Sequence, residues 1–340
     1  MKAIGFTANL PVEDPRCLLD LELPEPGPPE GRDLLVRVHA VSVNPRDVKS
    51  RQGMRASPER PVVAGYDASG VVEAAGPDAA LFRPGDEVFY ACTLDRPGSN
   101  AEWQLVDERI VGRKPASLDH AAAAALPLTS LTAWEMLFDR LLIPTGEAAA
   151  GNVLLVIGGA GGVPSMAIQL ARTLTAVTVV ATASRPESAA WVRQCGAHHV
   201  VDHSRPLPPQ VEALGATAGP MPWIFCTHTT PERWAEMAAM IAPQGRIGLI
   251  DDPEPLDLRL IKFKSASVHW EAMFTRPMHN TPDMVRQHEI LDEVAALVDA
   301  GRLRPTGTQD YGRITAENLR RAHAAIEAGR TVGKIVLHGF

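Results

Sequence analysis

The sequence predicts an α/β protein with a β-rich first part followed by a doubly wound parallel sheet. Before Leu118 the chain holds short strand candidates separated by turn-dense connectors such as Pro24–Gly31. Beyond Leu118, strand and helix candidates alternate. The first of these strands, Val153–Ile157, is a continuous apolar run that suits a central strand buried on both faces. Such alternation is typical of a doubly wound sheet.

Each element is predicted from a local pattern: apolar runs or alternation for strands, apolar residues at helical spacing for helices, and a stop such as Gly196 at a helix end. In chain order, the predicted strands are Lys2–Phe6, Leu34–Val43, Gly70–Ala75, Glu87–Ala91, Val153–Ile157, Val177–Ala181, His198–Val201, Trp223–Cys226, Arg246–Ile250, Ser267–Glu271 and Lys334–His338. The predicted helices are Ala121–Ala125, Leu131–Leu142, one after Gly162 with an apolar stripe from Met166 to Leu174, Glu187–Cys195, Pro231–Ile241, Met284–Ala300 and Ala316–Ala328.

Composition bounds the class of protein. A chain of 340 residues predicts two domains. Its net charge of −7 gives no general attraction to nucleic acid or to an anionic membrane, so neither is an expected partner, which leaves a small-molecule substrate. Four scattered cysteines without a C-x-x-C pair, and an N-terminus without a signal peptide, indicate a cytoplasmic protein. The most apolar run, Ala121–Leu128, is too short to span a membrane.

A glycine-rich turn directly after Val153–Ile157 is the strongest functional signal. A buried strand that ends in glycines and leads into a helix lets the backbone approach a pyrophosphate and points the helix N-terminus at it. The alternative is a flexible loop between two packed elements. Pro164, which stands where a third small residue is usual, removes one amide donor but is acceptable in a first helical turn. The predicted cofactor-binding residues of the turn are Gly158, Gly159, Ala160, Gly161, Gly162 and Val163.

The end of the second predicted strand of this sheet indicates which dinucleotide binds. An Asp or Glu about 20 residues after the turn usually holds the ribose of NAD. Here the sequence has Ser184 and Arg185 and no carboxylate, which favours a 2′-phosphate and therefore NADPH. Ser184 also begins a Ser-x-x-Glu capping box with Glu187, and capping is the preferred role for its side chain. Arg185 could instead be an ordinary surface arginine.

Several further segments resemble the medium-chain dehydrogenase/reductase superfamily over nearly the whole chain. Within it, the sequence is most similar to the zinc-type alcohol dehydrogenase-like branch, close to the quinone oxidoreductases. The resemblance implies a GroES-like catalytic domain, residues 1–124 with 272–340, a Rossmann NADPH-binding domain, residues 125–271, and a homodimer. The segments that carry it are VNPRDVKSRQG (43–53), VAGYDASGVV (63–72), FRPGDEV (82–88), RPGSNAEWQLVDER (96–109), PLTSLTAW (127–134), SRPE (184–187), GAHHVVDH (196–203), LIDDP (249–253), HWEAMFTR (269–276) and GKIVL (333–337).

The residues that bind catalytic zinc in such alcohol dehydrogenases are not present here. The matching positions are Asn44, the Tyr66-Asp67 pair and the region before Leu128, and none supplies Cys or His. Zinc prefers thiolate or imidazole, so one carboxylate makes a poor site, and no metal is expected. Two other groupings, His198-His199 and Cys226-x-His228, could be ligands, but a structural or surface role is the preferred interpretation.

The resemblance also implies roles for individual residues. Asn44, Asp47, Tyr66 and Asp67 face the catalytic space, where Tyr66 could donate a proton or simply pack. Thr132 touches the nicotinamide side or is an early helix residue, and Phe274 lines the substrate pocket or the core. Lys334 reaches a cofactor phosphate or is solvated.

The predicted function is a zinc-independent, NADPH-dependent oxidoreductase that reduces a quinone or an α,β-unsaturated carbonyl compound. Without a Lewis acid, direct alcohol dehydrogenation is difficult, whereas a conjugated acceptor delocalises the developing charge. An NADPH-binding or sensing protein with little turnover is the alternative. A zinc-dependent alcohol dehydrogenase ranks last.

Overall fold

Two units make up the chain in the computed structural model, which describes residues 1–215 and 221–340. The first unit comprises Met1–Leu131 and Phe274–Phe340, and the second comprises Thr132–Met273. The strands are β1 Lys2–Phe6, β2 Leu19–Glu22, β3 Asp33–Val43, β4 Val62–Val63, β5 Asp67–Ala75, β6 Glu87–Ala91, β7 Trp103–Asp107, β8 Val111–Arg113, β9 Val153–Ile157, β10 Thr178–Thr182, β11 His199–Val201, β12 Met221–Cys226, β13 Ile241–Leu249, β14 Ser267–Trp270, β15 Gly307–Asp310 and β16 Lys334–His338. The α-helices are α1 Pro45–Gly53, α2 His120–Ala124, α3 Pro127–Trp134, α4 Gly162–Leu174, α5 Pro186–Gln194, α6 Leu207–Glu212, α7 Pro231–Met240, α8 Thr275–Met278, α9 Arg286–Asp299 and α10 Ala316–Glu327.

The second unit is built on a six-stranded parallel sheet in the order β11-β10-β9-β12-β13-β14. This is the order of a doubly wound dinucleotide-binding sheet, with β9 as its first strand. Every residue of β9 is buried, because helices pack against both faces of such a sheet. The predicted α/β class with a Rossmann-type sheet is confirmed, and the glycine turn lies at the carboxyl end of β9.

The first unit is β-rich, as the sequence predicts. Its largest sheet runs β15-β16-β3-β5-β6-β8, and β7 also pairs with β3. Strand β3 runs antiparallel to both β16 and β5. Ile335 of β16 pairs with Val43, and Ala68 of β5 pairs with Val41. The carboxyl end of β3 is therefore flanked by the amino ends of two neighbouring strands, and three chain segments meet there.

One predicted helix differs from the structure. The pattern at Leu131–Leu142 predicts a single helix, but α3 begins at Pro127, ends at Trp134 and continues as a π-helical turn over Glu135–Arg140. Proline is favoured in the first helical turn, where its missing N–H is not needed, and this explains the earlier start. The π-helical turn leaves the helical spacing of the apolar residues visible in the sequence while changing the backbone hydrogen bonds.

The helical stretch His120–Arg140 has the length and mean hydropathy that a membrane-crossing helix needs. Its most apolar window is 83% buried inside the protein. The apolar side chains are thus covered by the fold itself, as in a core helix.

Candidate active site

A buried carboxylate, that of Asp67, is the centre of the site in the first unit. Its side chain is fully buried at the amino end of β5. One oxygen, Oδ1, accepts a hydrogen bond from the Leu128 N–H at 2.7 Å. The other, Oδ2, accepts from Ser42 Oγ at 2.9 Å and from Asn44 Nδ2 at 2.8 Å. Both carboxylate oxygens are therefore fixed by protein donors.

Lys334, at the amino end of β16, supplies the positive charge beside Asp67. Its side chain is 4% exposed, and Nζ lies 2.9 Å from Asp67 Oδ2. The ammonium also donates to the Val43 carbonyl at 3.1 Å and to Asn44 Oδ1. An ammonium has three hydrogens, and three acceptors surround this one. The structure therefore corrects the prediction of a solvated or phosphate-binding Lys334, because its hydrogens are used inside the first unit.

Asp47 and Asn44 form the start of α1. Asn44 is the N-cap residue, and its N–H donates to Asp47 Oδ2 at 2.7 Å. Asp47 is 1% exposed, and burial raises its pKa from 3.8 to about 7, although the Asn44 hydrogen bond and the charge of Lys334 act in the opposite direction. Asp47 is thus a proton-holding group near neutral pH inside the site. Such shifted values are more frequent at functional sites than elsewhere.

Tyr66 lies next to a buried hydroxyl that the sequence analysis did not select. Ser50 of α1 is fully buried, and its Oγ is 2.6 Å from the Tyr66 hydroxyl oxygen. Tyr66 O–H also points at Met54 Sδ at 3.7 Å, a weak acceptor. Burial raises the pKa of Tyr66, so the phenol keeps its proton at neutral pH. Phe274 packs edge-on against the Tyr66 ring at 5.5 Å and is half-buried.

An apolar cavity of about 640 Å³ adjoins Tyr66 in the first unit. It falls within the size range of small-molecule pockets. The walls are mostly apolar side chains, and Arg96, which also lines it, is neutralised by a two-bond pair with Asp33. Apolar residues that line it with Tyr66 include Met54, Val62, Leu94, Trp103 and Leu105.

The glycine turn in the second unit has the geometry that a bound pyrophosphate needs. Gly158 has φ +86°, and a Cβ there would stand 2.2 Å from Thr227 Oγ1, so no other residue fits. Helix α4 starts at Gly162, and the Ser165 N–H donates to Gly161 O. Within the first helical turn, Gly162 and Val163 keep amides without an intrahelical acceptor, and Pro164 has no N–H. The turn therefore fits a dinucleotide phosphate with two helix amides and the helix dipole.

The last residue of β10, Thr182, supports the glycine turn by hydrogen bonds. The predicted 2′-phosphate contact lies just after it in the sequence. Thr182 Oγ1 accepts the Gly158 N–H at 3.0 Å and is 3.0 Å from His203 Nδ1.

The predicted Ser184–Glu187 capping box is wrong: the N-cap of α5 is Arg185, and Ser188 Oγ accepts its N–H. Ser184 is exposed. Arg185 is half-buried, with Nη1 3.4 Å from the Glu187 carboxylate. Thr132 is buried in α3.

Comparison with known proteins defines the class. The family model for the alcohol dehydrogenase GroES-like domain matches residues 30–116, and that for zinc-binding dehydrogenases matches residues 195–337. The zinc-type alcohol dehydrogenase-like protein of Staphylococcus aureus (strain COL) is 41% identical over 99% of this chain and 100% of its own. The chain is an oxidoreductase of the medium-chain dehydrogenase/reductase superfamily. More narrowly, it belongs to the zinc-type alcohol dehydrogenase-like proteins.

Two solved structures agree with this assignment. A Rhizobium etli CFN 42 protein provisionally described as a zinc-dependent alcohol dehydrogenase is 55% identical, with a TM-score of 0.95 over 100% of this chain and 98% of that one. The quinone oxidoreductase of Pseudomonas syringae pv. tomato DC3000 is 25% identical, with a TM-score of 0.82 over 99% of each chain. The family therefore includes relatives named for zinc and relatives named for quinones.

The donor atoms of the site do not fit the zinc ion that the family name implies. Across residues 1–215 and 221–340, no three His, Cys, Asp or Glu side chains are grouped to hold a metal. Asp67 has the one carboxylate at the matching positions, and its oxygens already accept from Lys334, Asn44, Ser42 and an amide. Zinc would need soft ligands that this arrangement lacks.

The sequence did not predict that Ser50 contacts Tyr66 or that Lys334 pairs with Asp67. Ser50 reaches the Tyr66 hydroxyl only because of the way α1 packs, and a serine in a polar helix gives no sequence signal. For Lys334 a signal existed: it opens an apolar strand whose next three residues are buried. A lysine at such a position must either reach solvent or find a buried acceptor.

Proposed function

We propose that the protein is a zinc-independent, NADPH-dependent reductase that delivers hydride to a quinone or an α,β-unsaturated carbonyl compound. The observation that carries the proposal is the donor set around Asp67, which is filled by protein hydrogen bonds and an ammonium and offers no thiolate or imidazole. An alcohol substrate would need a Lewis acid to stabilise its alkoxide, whereas a conjugated acceptor spreads the charge over its own atoms. The apolar cavity beside Tyr66 suits the ring or chain of such an acceptor.

Bound NADPH would supply the hydride to a conjugated carbon of the acceptor. The protein's part is to provide the proton that the acceptor oxygen then takes. Tyr66 is suited to this because Ser50 can donate to the phenol oxygen while the phenol hydrogen is spent on the weak Met54 sulfur acceptor. Turning that hydrogen to a substrate oxygen costs little. Asp47, whose pKa of about 7 leaves it about half protonated at neutral pH, is a second proton-holding group near α1.

The choice of NADPH over NADH rests on Arg185 and on the lack of a carboxylate at the end of β10. A guanidinium beside a 2′-phosphate makes charge-assisted hydrogen bonds, each worth about 1.5–3 kcal/mol. Replacing Arg185 by Ala should therefore weaken NADPH binding about ten- to a hundred-fold and leave NADH binding nearly unchanged. Calorimetric titration of both cofactors measures this, with Arg193→Ala, at an exposed arginine in the last turn of α5, as the control. Equal effects on both cofactors would remove the argument for NADPH.

Loss of NADPH absorbance with a panel of quinones and enones tests the reaction directly. Turnover on at least one class, unchanged by a chelator, is the expected result. NADPH binding with no turnover on the whole panel would favour the alternative, a cofactor-binding or sensing protein with little turnover. That alternative is motivated by Pro164, which removes one helix amide from the turn. Turnover of simple alcohols that stops with a chelator would show a zinc enzyme instead.

We also propose that the protein is a homodimer and that it works in the cytoplasm. Strand β14 stands at the end of its sheet and carries Trp270, which is 56% exposed, and Phe263 of the same unit is 96% exposed. An edge strand and exposed apolar side chains favour pairing with another chain. The four cysteines are buried thiols, as suits a reducing compartment. Light scattering on the purified protein gives the dimer mass or contradicts the proposal.

A further inference from the structure

The Lys334 ammonium is the best-defined charged group of the first unit that the proposed reaction leaves without a role. Its nitrogen lies where three oxygens converge: the Val43 carbonyl, Asn44 Oδ1 and Asp67 Oδ2. These oxygens come from the carboxyl end of β3, the N-cap of α1 and the amino end of β5. Carbonyl, carboxamide and carboxylate oxygens are the ligands that hard cations take in proteins.

We propose that Lys334 is the internal cation of the candidate active site, holding Asn44 and Asp67 in place by charge and excluding a divalent cation from the same position. A buried carboxylate must be paired, and a protein cation and a bound metal ion are alternative ways to pair it. With Lys334 present, the converging oxygens are already used and a second cation would be repelled. With the ammonium removed, the same oxygens would surround an empty space.

Lys334 acts on the proposed reaction only through its neighbours, so it is a positioning residue. Asn44, which it holds, caps the helix that carries Asp47 and Ser50. Asp67, which it also holds, accepts the amide of Leu128 in the first turn of α3. Loss of the ammonium would therefore loosen the start of α1, where the proton-holding groups lie. The part of the inference that concerns turnover rests on the proposed reductase function, whereas the part that concerns binding does not.

The test uses Lys334→Ala, which removes the side-chain ammonium and leaves space for a small alkylammonium ion added to the solution. Lys114→Ala is the matched control, since Lys114 is a lysine with a 5% exposed side chain that donates to the carbonyls of Pro115 and Leu118. In Lys334→Ala we expect kcat/KM to fall about a hundred-fold, the size of effect that a small misplacement of catalytic groups produces. Added propylammonium should restore at least part of that loss and raise Tm. Lys114→Ala, which vacates an ammonium position beside Glu87, should keep the wild-type kcat/KM with or without propylammonium.

Metal binding gives a second, independent readout. Titration with Mn²⁺, followed by paramagnetic resonance, should show binding to Lys334→Ala and none to the wild-type protein. If the wild-type protein has no reductase activity on any acceptor, the proposed function fails, but the Tm rise with propylammonium and the Mn²⁺ titration still decide the role of Lys334. An unchanged Tm with propylammonium together with no Mn²⁺ binding would overturn the inference.

A second variant covers the case in which Lys334→Ala does not fold. Lys334→Gln keeps a hydrogen-bond donor on a side chain one atom shorter and carries no charge. If charge holds the site, kcat of this variant falls while KM changes little, and its Tm falls as well. If its kcat/KM and Tm equal those of the wild-type protein, hydrogen bonding alone suffices and the inference is wrong.

Discussion

Replacing Asp47 by Asn removes a charge that burial disfavours while keeping the local hydrogen bond. Asp47 Oδ2 accepts the Asn44 N–H at 2.7 Å, and the carboxamide oxygen of Asn can accept the same bond. Burial raises the pKa of Asp47 from 3.8 to about 7, so the folded protein pays to ionise it. The variant should therefore gain stability relative to the wild-type protein wherever Asp47 is ionised.

The sign and size follow from proton linkage. Between pH 4 and pH 7 the folded state holds the Asp47 proton and the unfolded state has released it, so the free energy of unfolding of the wild-type protein falls as pH rises through that window. Above the folded pKa of about 7 the penalty is complete and stays constant. A shift of about three units corresponds to at most about 4 kcal/mol, at about 1.4 kcal/mol per unit.

Urea unfolding followed by tryptophan fluorescence at pH 5, 6, 7 and 8 measures this. The quantity compared is the free energy of unfolding of Asp47→Asn minus that of the wild-type protein, in which every other titrating group cancels. We expect this difference to rise by about 2–3 kcal/mol from pH 5 to pH 8 and to level off there. Asp78→Asn, at an exposed carboxylate, is the control and should show no pH trend. A flat or falling difference for Asp47→Asn would refute the reasoning.

Three further predictions concern the cofactor turn and the proton donor. Gly158→Ala should weaken NADPH binding at least about ten-fold, since its Cβ would meet Thr227. The control Gly151→Ala, at φ +77° in open space, should lower stability by about 1 kcal/mol through backbone strain and leave NADPH binding unchanged. Calorimetry measures the binding and thermal unfolding measures the stability. Tyr66→Phe should lower kcat about a hundred-fold on enones with little change in the NADPH dissociation constant, and equal kcat in stopped-flow assays would make Tyr66 a packing residue only. Pro164→Ala restores a third helix amide and should tighten NADPH binding by up to about ten-fold, and an unchanged constant would make Pro164 a neutral first-turn residue.

The fold was predictable from the sequence because most of its signals are local. Strand β9 is apolar at every position and lies in the middle of a parallel sheet, so its pattern needs no partner to be recognised. The turn after it, with Gly158 at positive φ, is equally local. The end of α3 was not predictable, because a π-helical turn keeps the apolar spacing of an α-helix while shifting its hydrogen bonds.

The candidate site was predictable only as a set of positions. The family resemblance selected Asn44, Asp47, Tyr66 and Asp67, but it did not say which of them are joined. The pairing of Lys334 with Asp67 links residues 267 positions apart, and that of Arg51 with Glu327 links residues 276 apart. Pairs at such separations are set by strand register and helix packing, for which one sequence carries no signal.

The two misjudged side chains have a common cause. Neither was interpreted from its packing in the fold: Ser184 was assigned through a local capping motif, and Lys334 through the family resemblance, as a cation that reaches a phosphate or solvent. In the fold, the cap of α5 moves one residue on because Pro186 takes the first helical position, and Lys334 is covered on entering a buried strand. For Lys334 the consequence is chemical as well as structural. The Lys334 ammonium neutralises the Asp67 carboxylate. Asp67 is therefore compensated although the positions of Asn44 and Tyr66 supply no zinc ligand. Lys334 thus neutralises Asp67 in the position where a metal ion would otherwise have to do so. A variant that removes the lysine charge should therefore change whether the surrounding oxygens bind a metal ion.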